Sequence, residues 1–255
     1  MKQGTSNPVK FPTATVHEHR LRLFQATRRP KRIEQEIVSA WGKVWIEGRL
    51  GQAHADLFEA FCFEREDKAE LEDGRIKILV DPYRARKRAN IQSGDGQRKL
   101  CNDLQTTLIR IMEPKKYACT GHLVDHIDEA CRKDGTAVTR YNPLSRGERP
   151  LWKIEIGKAF CKLVEADIWI GYDPARIAAL ETGIAQAVAR HVLTHKTMPN
   201  GGWSLDGLIE AVAGELSSDS ARNRRREIRA DAARLRAAGV IIDGDRIFKA
   251  GRGAV

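Results

Sequence analysis

Five polar side chains near the C-terminus have the types and spacing that suit hydrogen bonding to base pairs. They lie on one predicted helix, in which the apolar residue Ile228 marks the buried side. Rotations of about 100° per residue place four of them opposite Ile228 and one at the flank. Arginine donates two hydrogen bonds to guanine, and asparagine pairs bidentately with adenine. We therefore predict base contacts from Arg222, Asn223, Arg225, Arg226 and Arg229.

The segments around this helix favour the same interpretation. Ser204 can cap a preceding helix, residues 216–219 form a turn, and Asp243-Gly244-Asp245 is typical of a hairpin tip. In helix-turn-helix proteins the N-terminal part of the second helix contacts base edges, and here that part is the basic one. The alternative is a solvated surface helix, since charge runs usually face water.

Further basic side chains suit contacts with phosphates, which any lysine or arginine can make. They lie in the N-terminal arm, on a predicted hairpin in the first half and on the C-terminal hairpin. The predicted backbone contacts are Arg28, Arg29, Lys31, Arg32, Arg140, Arg146, Arg149, Arg246 and Lys249. The basic run Arg84–Arg88 is predicted to be a loop, for which DNA contact and simple solvation are both open.

Residue patterns that could bind a metal or catalyse a reaction are weaker evidence of function than the basic helix. Zinc ligand types occur at Cys119, His122, His126 and Cys131, but a helix over this segment would turn Cys131 inward and His126 elsewhere. Two structural cysteines and two surface histidines are the simpler interpretation. The sequence contains no phosphate-binding loop, nucleophile elbow, dinucleotide fingerprint or zinc-hydrolase motif. We predict no metal site, no cofactor, no catalytic residue and no enzyme activity.

The distribution of charge indicates a polyanion as partner. The chain has 255 residues and a formal net charge of +10, of which residues 1–32 carry +7 and residues 217–255 carry +5. The middle of the chain is left with −2. Basic ends on a near-neutral body favour nucleic acid as the partner over a charge spread evenly for solubility.

Composition also bears on location. No apolar run approaches the roughly 20 residues that span a bilayer, and the N-terminus lacks the apolar core of a secretory signal. The five cysteines are odd in number and widely spaced, which suits reduced thiols better than a disulfide framework. We predict a cytoplasmic protein that does not contact membranes.

The order of elements predicts an α+β fold made of two tandem winged helix-turn-helix domains, mostly helical with small antiparallel sheets. Residues 1–32 form a flexible basic arm. An N-terminal winged-helix domain spans residues 33–158, and a C-terminal DNA-binding domain spans residues 159–255. In the C-terminal domain a long helix runs from about Pro174 to His195 before the helix pair and the hairpin.

In the N-terminal domain we predict one helix that ends before Pro114 and a second from Thr120 to Gly135, followed by a hairpin. The second helix would expose several acidic side chains, Asp125, Asp128 and Glu129. Carboxylates repel phosphates, so we predict that this domain serves dimerisation or assembly, with accessory DNA contact as the alternative.

Four segments resemble those of plasmid replication initiators with paired winged helices. They are Leu151–Ile156, Ile177–His191, Ser204–Leu208 and Arg222–Arg229, the last followed by a Leu-Arg-Ala-Ala-Gly-Val run. The resemblance is to iteron-binding initiators of broad-host-range IncQ-type plasmids. It covers about residues 120–248 and, more loosely, residues 36–119.

This resemblance implies binding to directly repeated origin sites, recruitment of a helicase or other host replication proteins, and a dimer as a storage or repressor form. It implies no catalysis by the initiator, and it places the base-reading helix on the same five residues, Arg222, Asn223, Arg225, Arg226 and Arg229. The prediction is a sequence-specific double-stranded DNA-binding protein that initiates plasmid or phage replication. The alternative is a transcriptional repressor of a mobile genetic element that binds an operator as a dimer. A DNA-processing enzyme or an accessory subunit of a nicking complex is the third hypothesis.

Overall fold

The computed structural model describes residues 12–70, 75–113, 117–142, 146–166 and 169–250. The fold is mixed α+β with small antiparallel sheets, as predicted. The helices are α1 (Val16–Arg20), α2 (Gln52–Phe63), α3 (Pro82–Arg88), α4 (Gly94–Thr106), α5 (Lys158–Ala166), α6 (Pro174–Ala178), α7 (Gly183–Leu193), α8 (Leu205–Ala213), α9 (Ser218–Ala230) and α10 (Ala232–Ala237). The strands are β1 (Ala14–Thr15), β2 (Ile33–Ser39), β3 (Gly42–Gly48), β4 (Arg65–Glu70), β5 (Ile76–Val80), β6 (Leu108–Glu113), β7 (Tyr117–Gly121), β8 (Val124–Glu129), β9 (Thr139–Asn142), β10 (Gly147–Pro150), β11 (Trp152–Ile156), β12 (Trp169–Ile170), β13 (Trp203–Ser204), β14 (Val240–Asp243) and β15 (Arg246–Lys249).

The predicted flexible arm is wrong for residues 12–32, and residues 1–11 lie outside the described part. Strand β1 pairs with β12, and α1 follows directly, with Thr15 and Glu18 forming a capping box. The apolar side chains that follow α1 are buried in the core, namely Leu21, Leu23 and Phe24. The basic cluster and the prolines predict a flexible segment. Burial of these three apolar side chains instead stabilises a folded segment, because it removes their apolar surface from water.

The first core lies between two four-stranded sheets and the helices beside them. The strand orders are β2-β3-β6-β7 and β4-β5-β11-β8. Helix α2 is almost entirely buried, and its Phe58 ring packs edge-on against Phe160 of α5 with centroids 4.6 Å apart. Leu104 of α4 and Ile154 of β11 belong to the same cluster.

The two helices predicted for the N-terminal domain are wrong in part. Helix α4 ends at Thr106, and the apolar residues beyond it belong to β6, in which Ile109 and Ile111 are buried and pair with β3. The segment predicted as the acidic second helix forms β7 and β8, and Ile127 pairs with Ile154 of β11. A short run of apolar residues fits both the helical period and the strand period. Pairing with distant strands decides which of the two structures forms.

The second core surrounds α7, α8, α9 and the three-stranded sheet β13-β15-β14. Ser204 caps α8 and Gly244 lies at the hairpin tip with φ +56°, both as predicted. Two predicted helices are interrupted. The long helix breaks before Thr182, which caps α7. The helix that carries Ile228 breaks at Asp231, whose buried carboxylate accepts hydrogen bonds from the backbone of Glu181 and Thr182 at 3.0–3.1 Å.

The two halves of the chain repeat one order of elements. The first half runs α2, β5, α3, α4, β8, β11, and β11 lies between β5 and β8. The second half runs α7, β13, α8, α9, β14, β15, and β15 lies between β13 and β14. Strands β4, β6 and β7 and the β9–β10 hairpin are additions in the first half, and α10 is an addition in the second half. The helix pair that corresponds to α8 and α9 is therefore α3 and α4.

Helix α2 of the first half packs directly against α6 and α7 of the second. Their contact contains a fully buried arginine, Arg190, which pairs with Asp56 and Glu59 of α2. Across the described residues, none of the helices has the length and apolar composition needed to cross a membrane.

Candidate nucleic-acid interface

Helix α9 is held in place at its start and in its middle. The Ser217 hydroxyl accepts the backbone N–H of Ser220 at 3.4 Å, which caps the helix. Ile228 is the buried residue of α9 and belongs to the second core. One apolar anchor leaves most of the remaining circumference of α9 in solvent.

Three of the five predicted base-contacting side chains form an exposed polar surface on α9. Arg222, Asn223 and Arg226 are exposed, on the face opposite Ile228 as the helical period predicts. Within the residues that the structure describes, the side chains of these three residues have no intramolecular hydrogen bond or ion pair. We call these three residues the α9 polar face. Its donors are directed to solvent and are available to a ligand.

The other two predicted base-contacting residues are engaged with acids. The Arg225 Nε donates to Asp206 Oδ1 of α8 at 2.6 Å, and Arg229 donates to Asp245 at the tip of the β14–β15 hairpin. Both acids are well exposed, so each pair contributes at most about 1 kcal/mol and can open. Helical periodicity does not indicate these pairs, because they depend on how the turn and the hairpin fold back on α9.

The two cations predicted on the C-terminal hairpin differ in availability. Arg246 is exposed at the start of β15, near the hairpin tip. The Lys249 Nζ instead donates to the carbonyls of Leu193 and His195 at 3.2 and 2.7 Å. Lys249 therefore satisfies backbone carbonyls at the end of α7. The predicted phosphate contact would require Lys249 to give up these hydrogen bonds.

The cations predicted on the first hairpin are mostly used inside the protein. Arg140 donates to Glu66. Arg149 pairs with the buried Asp81 at 2.7 Å and stacks over the Tyr83 ring at 4.5 Å. A buried carboxylate requires a charged partner, which explains the position of Arg149. Arg146 is exposed.

The basic residues of the predicted arm divide in the same way. Arg28 donates to the Leu180 carbonyl at 3.2 Å and lies 3.7 Å from Asp56, so it joins the two halves of the chain. The remaining three side chains are exposed and can reach a phosphate, Arg29, Lys31 and Arg32.

Helices α3 and α4 form a helix pair that was not predicted; the basic side chains are concentrated on α3, in which Arg84 and Arg88 pair with Glu64. Helix α4 buries Cys101 and Leu104 and exposes Arg98, Lys99 and Asn102. The run predicted as a loop is α3, which begins at Asp81-Pro82 with the aspartate as N-cap. The Asp-Pro start and the Ser93 cap of α4 are local signals that could have identified both helices.

The four residues with zinc ligand types, Cys119, His122, His126 and Cys131, do not form a group of ligands within the described residues. His126 is exposed on β8, 3.0 Å from Asp128, and Cys131 is exposed after the strand. Within the described ranges, the group of three or more ligand side chains that comes together consists of Glu18, His19 and Glu59.

Burial raises the pKa of Cys101 to about 12 and also raises the pKa of Cys62 and of Cys119, so none of these three thiols is an activated nucleophile. Comparison with protein-family models, curated proteins and solved structures found no match for this chain.

Proposed function

We propose that the chain is a sequence-specific double-stranded DNA-binding protein without catalytic activity, and that α9 reads the base edges. The observation that carries the proposal is the α9 polar face. Two arginines and one asparagine are exposed in the middle of α9, the second helix of a helix pair. These residue types match guanine and adenine in the major groove.

The order of elements supports a winged helix for the second half. In such units the second helix of the pair enters the major groove, and the following hairpin lies along the DNA backbone. Helix α8, helix α9 and the β14–β15 hairpin follow one another in this order, and the hairpin belongs to the three-stranded sheet. Arg246 at the hairpin is then positioned for a phosphate.

The ion pairs of Arg225 and Arg229 do not prevent binding. Their acids, Asp206 and Asp245, are exposed, and such pairs are screened by salt. A phosphate offers the same charge with more acceptor oxygens, so each arginine can exchange its carboxylate for the DNA backbone.

The first half has the same order of elements, and we propose that it is a second winged helix with α4 as its reading helix. The exposed side chains of α4 include Lys99 and Asn102, and Arg98 is held only by the exposed Asp95 at 2.7 Å. Because the predicted acidic helix is a strand, the repulsion that argued against DNA contact by this half does not apply to α4.

The biological role we propose is initiation of plasmid or phage replication. Two reading helices in one chain suit a long site, and the sequence segments that resemble iteron-binding initiators include α7 and α9. In this role the chain binds directly repeated origin sites and, as a dimer or with host replication proteins such as a helicase, prepares the origin.

Footprinting on the DNA that flanks the gene tests the role. Protection of several direct repeats spaced by about one helical turn supports an initiator. Protection of one inverted repeat over a promoter indicates a repressor instead. A chain that protects no site in that DNA and selects none from a random duplex library contradicts both.

Variants of the α9 polar face test the reading helix. We expect Arg222→Ala, Asn223→Ala and Arg226→Ala each to reduce discrimination by about 1–3 kcal/mol, or about 5- to 150-fold, for every bidentate base pairing that the variant removes. Affinity for random duplex should fall less. Arg236→Ala on α10 is the matched control, since Arg236 is also an exposed helical arginine.

Fluorescence anisotropy with the selected site and a scrambled duplex measures both affinities. If the α9 variants discriminate as well as the Arg236→Ala control, α9 is not the reading helix.

A further inference from the structure

Three ligand-bearing side chains meet in the interior, away from the α9 polar face. Glu18 and His19 belong to α1, and Glu59 belongs to α2. They are 1%, 8% and 0% exposed, and one ligand atom from each lies within 4.8 Å of the others. Imidazole nitrogen with two carboxylate oxygens is a donor set used for zinc.

The separations between these atoms fit a bound ion. The His19 Nε2 lies 3.5 Å from Glu18 Oε1, 3.3 Å from Glu59 Oε1 and 3.4 Å from the Tyr172 hydroxyl. Within the chain itself these contacts are a hydrogen bond with the Tyr172 hydroxyl and ion pairs of His19 with the two glutamates, all longer than the about 2.7–2.9 Å of an optimal charge-assisted hydrogen bond. Tetrahedral zinc with bonds of about 2.0–2.1 Å separates its ligands by about 3.3–3.4 Å.

Glu18 provides an independent observation. Its Oε2 accepts hydrogen bonds from Thr15 N and Thr15 Oγ1 at 2.9 and 3.2 Å, which fixes the orientation of the carboxylate. Its Oε1 is buried, faces His19 Nε2 and has no hydrogen-bond partner in the described part of the chain. A buried oxygen without a donor costs free energy unless a proton or a cation occupies its lone pairs.

The charge of the surroundings also favours a cation. Three carboxylates are buried here, Glu18, Asp56 and Glu59; Arg190 pairs with Asp56 and Glu59, Arg28 also lies 3.7 Å from Asp56, and Glu18 is left with His19 as its ion-pair partner. The Arg190 Nε donates to Glu59 Oε1 at 2.7 Å, which leaves that oxygen a second lone pair. A cavity of about 10 Å³ lined by Glu18 and His19 adjoins the group, close to the space that one water needs.

We propose that Glu18, His19 and Glu59 form a structural zinc site that joins α1 to α2. Imidazole excludes magnesium and calcium as the preferred occupants, because both favour oxygen ligands alone. The fourth position is filled by Tyr172 or by a water. The site is distinct from the cysteines and histidines at residues 119–131, which have zinc ligand types but for which we predict no metal site.

Metal content of the full chain tests the proposal. The protein is refolded with excess zinc, passed through a chelating column, and analysed by mass spectrometry for zinc per chain. We expect about one zinc for the parent and for the His126→Gln control, which removes an exposed histidine beside Asp128. In Glu18→Gln and His19→Gln we expect zinc affinity to fall by more than about 100-fold, beyond the loss typical of outer-shell changes.

X-ray absorption by zinc bound to the parent protein tests the proposal even if the variants fail to fold. The expected zinc shell of the parent contains nitrogen and oxygen at about 2.0–2.1 Å and no sulfur at about 2.3 Å. A parent that retains no stoichiometric zinc overturns the proposal, as does a shell that contains sulfur. Zinc retained in folded Glu18→Gln, or lost in His126→Gln, also overturns it.

Discussion

Replacing Arg190 with methionine tests what holds the two halves of the chain together. The guanidinium makes four hydrogen bonds to α2, to Glu59 Oε1 at 2.7 Å, Glu59 Oε2 at 2.9 Å, Asp56 Oδ1 at 2.7 Å and Gln52 Oε1 at 2.8 Å. Arg190, Asp56 and Glu59 are all 0% exposed. Methionine fills similar volume but leaves two buried carboxylates without this cation.

Breaking a buried ion pair from one side costs about 3–5 kcal/mol, which is a large part of the 5–15 kcal/mol typical of a domain. We therefore expect the free energy of unfolding of Arg190→Met to fall by about 3–5 kcal/mol at neutral pH. Urea unfolding followed by circular dichroism measures it. Arg176→Met on α6 is the control, since Arg176 is exposed, and should change stability by less than about 0.5 kcal/mol.

The pH dependence identifies the cause of the destabilisation. Burial alone would raise the pKa of Glu59, but the charge of Arg190, together with hydrogen bonds from His19 and Arg190, outweighs burial and holds this pKa at about 2. In the parent this carboxylate contributes stability above its unfolded pKa, and that stability disappears as the pH falls through about 2. Without Arg190 the pKa of Glu59 rises, so that Glu59 becomes protonated in mild acid. Protonation removes the buried charge, and the difference in free energy of unfolding between parent and variant should then become smaller.

A second substitution completes the test, with unfolding measured in the presence of a chelator because Glu59 is also a proposed zinc ligand. Arg190→Met with Glu59→Gln removes one uncompensated charge and should recover part of the missing stability. The reasoning is refuted if Arg190→Met is destabilised by less than about 1 kcal/mol, or if adding Glu59→Gln lowers stability further by a comparable amount.

Three further predictions concern DNA binding and pH. Asp245→Asn frees Arg229 and should raise affinity for any duplex by up to about fivefold in anisotropy titrations; unchanged affinity would mean that Arg229 does not reach DNA. Burial and the charges of His195 and Arg20 lower the pKa of His191 to about 3, so the unfolded state binds the extra proton below about pH 6.5. The free energy of unfolding should therefore fall by about 2 kcal/mol between neutral pH and about pH 5 from this group alone. In His191→Gln the free energy of unfolding, measured with urea at each pH, should depend less on pH than in the parent. Neutralising Arg29, Lys31 and Arg32 should decrease the salt slope of binding by about 0.9 for each phosphate that they neutralise in the parent, whereas an unchanged slope excludes them from the interface.

Local signals in the sequence predicted much of the second half. Ser204 caps its helix because a serine before an apolar run can satisfy the free backbone N–H groups. The Asp243-Gly244 turn follows from the positive φ that glycine allows. Ile228, as the apolar position of a basic helix, predicts which face is buried. Each of these features depends on residues close in the sequence.

Features that depend on distant residues were not predictable in the same way. Arg149 and Asp81 are 68 positions apart, so nothing local to Arg149 indicates that it is unavailable to a phosphate. The segment that contains Ile127 has both helical and strand-like spacing, and β11 decides between them. The sequence does not predict burial of the segment after α1, because its few apolar residues are mixed with arginines.

The contact between α2 and α7 also limits how the chain can meet DNA. These helices hold the same place in the repeated order of elements, so the two halves face each other through equivalent helices. A purely apolar contact would tolerate sliding, whereas the Arg190 hydrogen bonds are all satisfied in one arrangement only. The positions of α4 and α9 relative to each other are therefore set by buried side chains. If both helices bind DNA as we propose, the spacing between their contacts is a property of the folded chain, and a single copy discriminates among sites by spacing as well as by bases.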